Sequence, residues 1–409
     1  MTSTQYPAPS TGSSTSTVLP VNASSVLLDG ELTTVNSYTT TINGNGGMAY
    51  LTSTNIPAII TIGGTKYTVP INTVVTSKAF GASTSVTIAS AGFSTATPST
   101  FSSSTMPNAI AWNAVAYGNG YYVAVAGSNT TSGAYSTDGV NWTASTMPSS
   151  ATWKSVAYGN GTFVAVCFSS FNAYSTNGTT WTAMTMPSAN WISVTYGNNT
   201  SYGSGRFVAI ATSTSSSAAY SFDGINWFTS TLPTANNWRC VAYGLVNNNP
   251  TYVAVEGDGS TNGAYSFDGI SWFASSLPSA DYWYGAAYGN GYFVAVAGSP
   301  TTAGAYSTDG VNWTASTMPS SATWTFVAYG NGYFVAVCIN SSAGAYSTNG
   351  TTWTANTFPS SLNWDGITYG NGKFVAVQGG GSSAVGAYFA QTQTLPVNFG
   401  IYAGPTTIN

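Results

Sequence analysis

The chain has 409 residues, of which only 4% are charged: six lysines and arginines stand against ten acidic residues, and histidine is absent. Nucleic-acid binding is excluded as a main function because no basic stripe is present to neutralise phosphates. The absence of histidine excludes a Ser-His-Asp triad, and no uninterrupted apolar run is long enough to cross a bilayer.

The N-terminal quarter predicts two segments. Residues 1–30 are rich in Ser, Thr and Pro, which is typical of an extended arm. Residues 31–98 carry short β-like runs, such as Ala58–Ile62 before a Gly63-Gly64 turn and Ser85–Ile88 further on. They predict a small β module for attachment or oligomerisation.

From Trp112 onward, one sequence unit repeats seven times. Each copy opens with Trp and continues through a version of Val-Ala-Tyr-Gly-Asn-Gly and an aromatic-Val-Ala-Val run, and the first six copies then contain Ala-Tyr-Ser-x-Asp-Gly, with Asn for Asp in units two and six. A period near forty residues with several short strands is typical of a β-propeller blade. The opening tryptophans, which we expect to pack between blades, are Trp112, Trp153, Trp191, Trp238, Trp283, Trp324 and Trp364.

Two turns, and a loop of variable length between them, divide the repeating unit into four predicted strands. Asn-Gly accepts the positive φ angles of a type I′ hairpin turn. In the second turn an Asp or Asn side chain caps local N–H groups and Gly adopts the unusual dihedral. The residues assigned to this structural turn are Asp138, Asn177, Asp223, Asp268, Asp309 and Asn349.

The seventh unit is incomplete, and its missing strand lies before the first unit. Phe101–Pro107 aligns residue for residue with Trp142–Pro148 of unit one. We therefore predict an all-β fold in which residues 99–390 form a seven-bladed propeller of four-stranded blades. An N-terminal strand would close the ring, which removes exposed sheet edges. Residues 391–409 are interpreted as a C-terminal tail.

Two positions vary between units while their neighbours repeat. They are the residue after each opening Trp and the residue after each Val-Ala-Val. Variable side chains on a rigid scaffold are typical of a binding surface; the alternative is that Arg239 and Glu256 merely pair with each other at the rim. Six candidate ligand-binding residues occupy these positions: Lys154, Arg239, Glu256, Tyr284, Asp365 and Gln378. Two further candidates, Asp258 and Asp281, lie at or beside unit four.

Two resemblances follow from these motifs. Ser136–Trp142 and its copies resemble the Asp-box turn of sialidase-type propellers, with one residue fewer between Asp and Gly and with Asn in units two and six. The whole unit, over residues 99–390, is similar to repeats in tail-fibre and virion structural proteins of tailed phages. That resemblance implies a role in a virus particle.

We predict that the chain is not an enzyme. The sialidases it resembles clamp a carboxylate with three arginines, and this chain has two, Arg206 and Arg239. Glycoside hydrolysis needs two facing carboxylates, and we take Glu256, Asp258 and Asp281 as the only candidates. No catalytic residue, metal site or cofactor is predicted, and the three cysteines are expected to be small buried hydrophobic residues.

The predicted function is therefore that of a virion structural protein, a phage fibre or decoration. Its propeller would contact a host surface or glycan, and residues 1–98 would bind other virion proteins or copies of the chain. The start of the chain lacks the pattern of a secretory signal, which fits a protein made inside a host and exposed on the virion surface after lysis. The alternative is a lectin-like adhesin of a bacterial cell surface, and the third hypothesis is an inactive or divergent glycosidase. Neither nucleic-acid binding nor membrane insertion is expected.

Overall fold

The computed structural model describes residues 97–198, 205–381 and 383–390, together with the backbone of nine strands within 25–90 and 398–403. The chain divides into two compact units: residues 1–96 with 391–409, and residues 97–390. Residues 1–24 of the predicted arm lie outside the described residues. Among the residues described, none belongs to a helix that could cross a membrane.

The first unit is built from short antiparallel strands. β1 pairs with β2, and a four-stranded sheet has the order β3-β8-β5-β6. The runs Ala58–Ile62 and Ser85–Ile88, recognised in the sequence, correspond to β5 and β8. The strands are β1 (Ser25–Leu28), β2 (Glu31–Thr34), β3 (Tyr38–Ile42), β4 (Gly47–Ser53), β5 (Ala58–Ile62), β6 (Thr65–Val69), β7 (Thr73–Phe80) and β8 (Thr84–Ser90).

The second unit contains the repeats. Its strands are β9 (Ser102–Thr105), β10 (Trp112–Gly118), β11 (Tyr121–Ala126), β12 (Thr130–Ser136), β13 (Thr143–Ala151), β14 (Trp153–Gly159), β15 (Thr162–Cys167), β16 (Phe171–Ser175), β17 (Thr182–Thr185), β18 (Trp191–Gly197), β19 (Arg206–Ala211), β20 (Ser215–Ser221), β21 (Phe228–Asn236), β22 (Trp238–Val246), β23 (Asn249–Glu256), β24 (Asn262–Ser266), β25 (Phe273–Ser276), β26 (Trp283–Gly289), β27 (Tyr292–Ala297), β28 (Thr301–Ser307), β29 (Thr314–Gly330), β30 (Tyr333–Ile339), β31 (Ser341–Ser347), β32 (Thr354–Leu362), β33 (Trp364–Gly370), β34 (Lys373–Gln378) and β35 (Val385–Ala390).

The last strand, β36 (Asn398–Ala403), belongs to the first unit. It pairs antiparallel with β4, from Asn398 opposite Thr52 to Ala403 opposite Gly47, in a sheet of order β36-β4-β7. Residues 391–409, interpreted from the sequence as a C-terminal tail, therefore contribute a strand to the first unit. A single strand outside the repeats has no period that would reveal its partner.

The repeats fold into antiparallel sheets, as predicted. Units one to four each form one four-stranded sheet, and units five and six are joined because β29 runs on from the last strand of one into the first strand of the other. The strand order of the remaining sheet is β33-β34-β35-β9, with Val385 opposite Thr105. Next to β9, the Phe101 ring stacks on Phe358 with centroids 4.2 Å apart.

The first hairpin of unit one has the expected turn. Asn119 and Gly120 have φ angles of 48° and 81°, which place both residues in the conformation of a type I′ turn. The turn brings Gly118 opposite Tyr121 in the ladder.

The cores lie between neighbouring sheets. All seven opening tryptophans are fully buried, which confirms that they pack in the core. The indole N–H of Trp112 donates to the carbonyl of Asn108 at 3.2 Å. Cys167, Cys240 and Cys338 are buried and unpaired, as expected.

A contact between tyrosine and glycine links each unit to the next. A Cβ placed on Gly118 would lie 2.0 Å from Cγ of Tyr158, so the tyrosine ring occupies the space of a missing side chain. The same relation runs from unit to unit and returns from Gly370 to Tyr117. The first strands likewise contact one another in succession, and β10 contacts both β14 and β33.

Candidate functional site: the central cavity

The residue after each opening Trp lies in a β-bulge. In unit one Trp112 is opposite Ala126 and Ala114 is opposite Val125, so that Asn113 has no partner in the ladder. A bulge interrupts the alternation of side chains and redirects the extra one. The equivalent bulged residues are Asn113, Lys154, Ile192, Arg239, Tyr284, Thr325 and Asp365.

These seven side chains line one cavity of about 670 Å³, bounded by the first strands of all seven units. We call it the central cavity. It also reaches the tyrosines near the other end of these strands, among them Tyr243 and Tyr288. The cavity therefore collects one variable side chain from every repeat.

Half of the predicted ligand-binding residues lie here: Lys154, Arg239, Tyr284 and Asp365. Residues 97–390 contain four basic side chains, and two of them line the cavity. The other two bind backbone carbonyls of neighbouring turns: Arg206 donates to Asp268 and Lys373 to Asp138. Lys154 and Arg239 are therefore the two basic side chains of residues 97–390 that line the cavity instead of binding a turn.

The three charges of the cavity influence one another. Burial and the charge of Arg239 lower the pKa of Lys154, whereas Asp365 raises it. Burial raises the pKa of Asp365 to about 6, although Lys154 and Arg239 act in the opposite direction. Within the described part of the chain, none of these side chains forms an ion pair within 4.0 Å, so their charges remain available to a ligand.

The charged groups of Arg239 and Lys154 each lie over an aromatic ring. The guanidinium carbon of Arg239 lies 4.1 Å from the centroid of the Tyr284 ring, and Nζ of Lys154 lies 4.6 Å from that of Phe168. Such cation–π contacts restrict the orientation of the charged groups.

Glu256 and Gln378 do not belong to the cavity, and their prediction as ligand-binding residues is wrong. Both are fully buried, opposite Trp238 and Trp364 in their ladders. Side chains in this strand position point into the sheet packing, where other units have alanine or cysteine. The amide of Gln378 donates to the carbonyls of Ile110 and Ser383 and so holds the following loop.

Asp258 and Asp281 are also outside the cavity lining. Asp258 is exposed, and Asp281 is half-buried and accepts a hydrogen bond from the Ser299 hydroxyl at 2.6 Å. The alternative pairing of Arg239 with Glu256 is not formed either: Glu256 accepts from the Ser260 hydroxyl, while Arg239 lies over Tyr284.

The residues assigned to the second turn all have the geometry of that turn. Oδ1 of Asp138 accepts the N–H groups of Val140 and Asn141, each at 2.8 Å. Burial raises the pKa of Asp309, but hydrogen bonds from Asn312, Val311 and Ser307 outweigh it and bring the pKa to about 2. The remaining members, with the same hydrogen bond to a following N–H, are Asn177, Asp223, Asp268 and Asn349.

Sequence reasoning missed part of the lining. Asn113, Ile192 and Thr325 occupy the same variable position as the charged members, and this shared position was the signal that could have found them. Two of them are partly engaged: Asn113 donates to the carbonyl of Trp153 at 3.0 Å and Thr325 to that of Trp364 at 2.5 Å. No group of three His, Cys, Asp or Glu residues able to hold a metal occurs in the described residues.

The buried Glu256 carboxyl leads to a testable prediction. Burial and the neighbouring Asp258 raise its pKa from 4.5 to about 8, and its Oε2 has no hydrogen-bond partner. The folded state therefore holds a proton that the unfolded state releases, so stability falls as pH rises from about 4.5 to 8 and stays low above that range. We expect Glu256→Gln to raise the free energy of unfolding by a few kcal/mol at pH 9 and to change it little at pH 4.

Urea titrations at the two pH values measure this effect. Gln378→Glu is the matched control, because it places a carboxylate in the same position of another unit and should introduce a loss of stability at high pH. Equal effects of Glu256→Gln at pH 4 and pH 9 would contradict the prediction.

Comparison with known proteins identifies the fold. The chain is similar to virginiamycin B lyase from Staphylococcus aureus, with a TM-score of 0.60 and 11% identity over 70% of this chain and 98% of that one. It is also similar to YCF48 bound to D1 peptide, with a TM-score of 0.56 and 14% identity over 74% of this chain and 98% of that one. A third similar structure is the WD40 β-propeller domain of Doa1, with a TM-score of 0.54 and 12% identity over 72% of this chain and 97% of that one. No family model and no curated protein matches the chain. These likenesses show that the chain contains a β-propeller.

Proposed function

We propose that residues 97–390 form a seven-bladed propeller closed by β9. Three observations support this arrangement. β9 is the fourth strand beside β35, the first strands contact one another in a cycle, and the tyrosine–glycine contacts return from the seventh unit to the first. Closure of this kind leaves only short, protected sheet edges.

We further propose that the chain is a non-enzymatic virion structural protein of the phage fibre or decoration type. Its propeller would face outward and bind a host surface or glycan. The observation that carries the binding role is the convergence of seven variable side chains on one cavity, within a scaffold whose other positions repeat. Loops and bulges on a rigid scaffold are common positions for binding residues.

The nearly uncharged, hydrogen-bonding composition and the phage-like repeat support placement on a particle. In this proposal residues 1–98 contact other virion proteins. Glycoside hydrolysis is disfavoured because the cavity lining contains one carboxylate, that of Asp365, whereas the reaction requires two that flank the scissile bond.

Particle localisation tests this proposal. Antibody against residues 97–390 should label the outer surface of purified particles in electron micrographs, and a chain without residues 1–96 should fail to be incorporated. Detection of the chain on bacterial cells, with none in particles, would favour the adhesin and contradict the proposal. Turnover of a glycoside would contradict its non-enzymatic part.

A further inference from the structure

We propose that the central cavity binds the carboxylate of an acidic saccharide, with Arg239 and Lys154 as donors to the carboxylate and Asp365 as acceptor for a neighbouring sugar hydroxyl. This inference rests on the proposed binding role of the propeller and specifies the class of ligand. Nothing in the repeats requires charged residues at these positions, because other units have Asn113, Ile192 and Thr325 there.

Arg239 is arranged to receive a planar anion. Its guanidinium carbon lies 4.1 Å from the centroid of the Tyr284 ring, and a guanidinium stacked on an aromatic ring keeps its N–H edge for in-plane donation. A guanidinium edge matches the two oxygens of a carboxylate. Gly257 makes this stack possible, since a Cβ there would lie 2.5 Å from Cγ of Arg239 and 2.9 Å from Cε1 of Tyr284.

Lys154 adds a second positive charge from a different unit. It and Arg239 repel each other, which contributes to the lowered pKa of Lys154, and an anion between them would relieve this repulsion. With Asp365 ionised, the cavity has a net charge of +1, whereas the whole chain has a net charge of −4. A positive cavity in an acidic protein favours anionic ligands over neutral ones.

Asp365 favours a hydroxylated ligand over a simple anion. A carboxylate at this position repels every anion, and only a ligand that also carries hydroxyl groups offsets this repulsion by donating a hydrogen bond to it. A volume of about 670 Å³ is within the range of small-molecule sites, roughly 300–1,000 Å³, and accommodates a short saccharide.

Isothermal titration of the full chain tests the ligand class. The probes are tetragalacturonate, its methyl ester as the neutral control, and inorganic phosphate. We expect the acid to bind at least tenfold more tightly than the ester, and Arg239→Gln or Lys154→Gln to weaken its binding about tenfold or more while thermal unfolding is unchanged. Arg239→Lys should restore part of the loss, because it keeps the charge but not the fork.

Equal binding of acid and ester, binding of phosphate alone, or undiminished binding by Arg239→Gln would overturn the inference. These results are distinguishable from failure of the proposed function. Particles carrying Arg239→Gln should still contain the chain at their surface, whereas absence of the native chain from particles would contradict the virion role and leave cavity binding measurable.

The pH dependence of binding gives a second readout. Protonation of Asp365, whose pKa is raised to about 6, removes a negative charge but leaves an oxygen that still accepts from the sugar hydroxyl, so binding of the uronate should tighten about threefold from pH 7 to pH 5.5. Asp365→Asn should abolish this dependence, and Asp258→Asn, which removes one acid outside the cavity, should retain it. The charged and titratable groups facing the cavity besides Asp365 are Lys154, Arg239, Tyr243, Tyr284, Tyr288, Tyr329 and Tyr369. Identical pH profiles for the two variants would contradict the assignment of Asp365.

Discussion

Replacement of Gly289 by alanine is expected to destabilise the propeller by about 3 kcal/mol or more, or to prevent folding. The new Cβ would lie 1.9 Å from Cγ of Tyr329, and atoms of two side chains do not approach so closely. Either the ring leaves its position or the first strands of two units move apart, and overpacking of a dense core costs about 1–3 kcal/mol or more. The free energy of unfolding in urea measures the loss.

Gly291, two residues further along the same hairpin, provides the matched control. Its φ is 83°, and no atom lies within 4 Å of the position that an alanine methyl group would take there. Gly291→Ala therefore carries only the backbone strain of a left-handed residue, about 1–2 kcal/mol. If the two substitutions destabilise equally, the steric explanation is wrong.

A double-mutant cycle isolates the contact itself. Tyr329→Ala removes the ring that the new methyl group meets, so Gly289→Ala should cost much less in that background than in the native chain. A coupling of more than about 1 kcal/mol is expected for two groups in direct contact. Additive effects would show that Gly289 is required for some other reason.

The strands and turns of the repeats could be predicted because their signals are local. Asn119 and Gly120 have the residue types of a type I′ turn, and this turn determines which residues of β10 and β11 face each other. The two turns and the variable loop between them then indicated four strands in each unit, and the period from one tryptophan to the next indicated the repeat of a propeller blade. The pairing of β36 with β4 left no such signal, because it joins two segments far apart in a part of the chain without repeats.

The site was only half predictable for a related reason. Sequence comparison between units identified two variable positions but not the direction of their side chains. The bulge after Trp238 redirects Arg239 into the central cavity, whereas Glu256, in regular pairing opposite that tryptophan, points into the sheet packing. The direction of the side chain depends on the β-bulge after the tryptophan, and the residue types around the bulge do not reveal it.

Removal of β9 is expected to have the largest effect on folding. A chain of residues 97–390 keeps this strand and should unfold cooperatively, whereas a chain of residues 108–390 lacks it and exposes the edge of β35. An unpaired edge strand is a template for association with other chains. We expect the shorter chain to aggregate or to lose its cooperative thermal transition, as followed by circular dichroism and light scattering.

A point substitution tests the contribution of the Phe101 side chain separately from that of the strand β9. The Phe101 side chain is 3% exposed and packs on Phe358 and Phe389, so Phe101→Ala should cost about 3–5 kcal/mol and lower the melting temperature by roughly 10 °C. Exposed Ser102, beside it in β9, is the control, and Ser102→Ala should change the melting temperature little. If residues 108–390 melted as residues 97–390 do, β9 would be dispensable and the proposed closure of the ring would fail. The tyrosine–glycine contacts between first strands would then be sufficient to hold the seven units together.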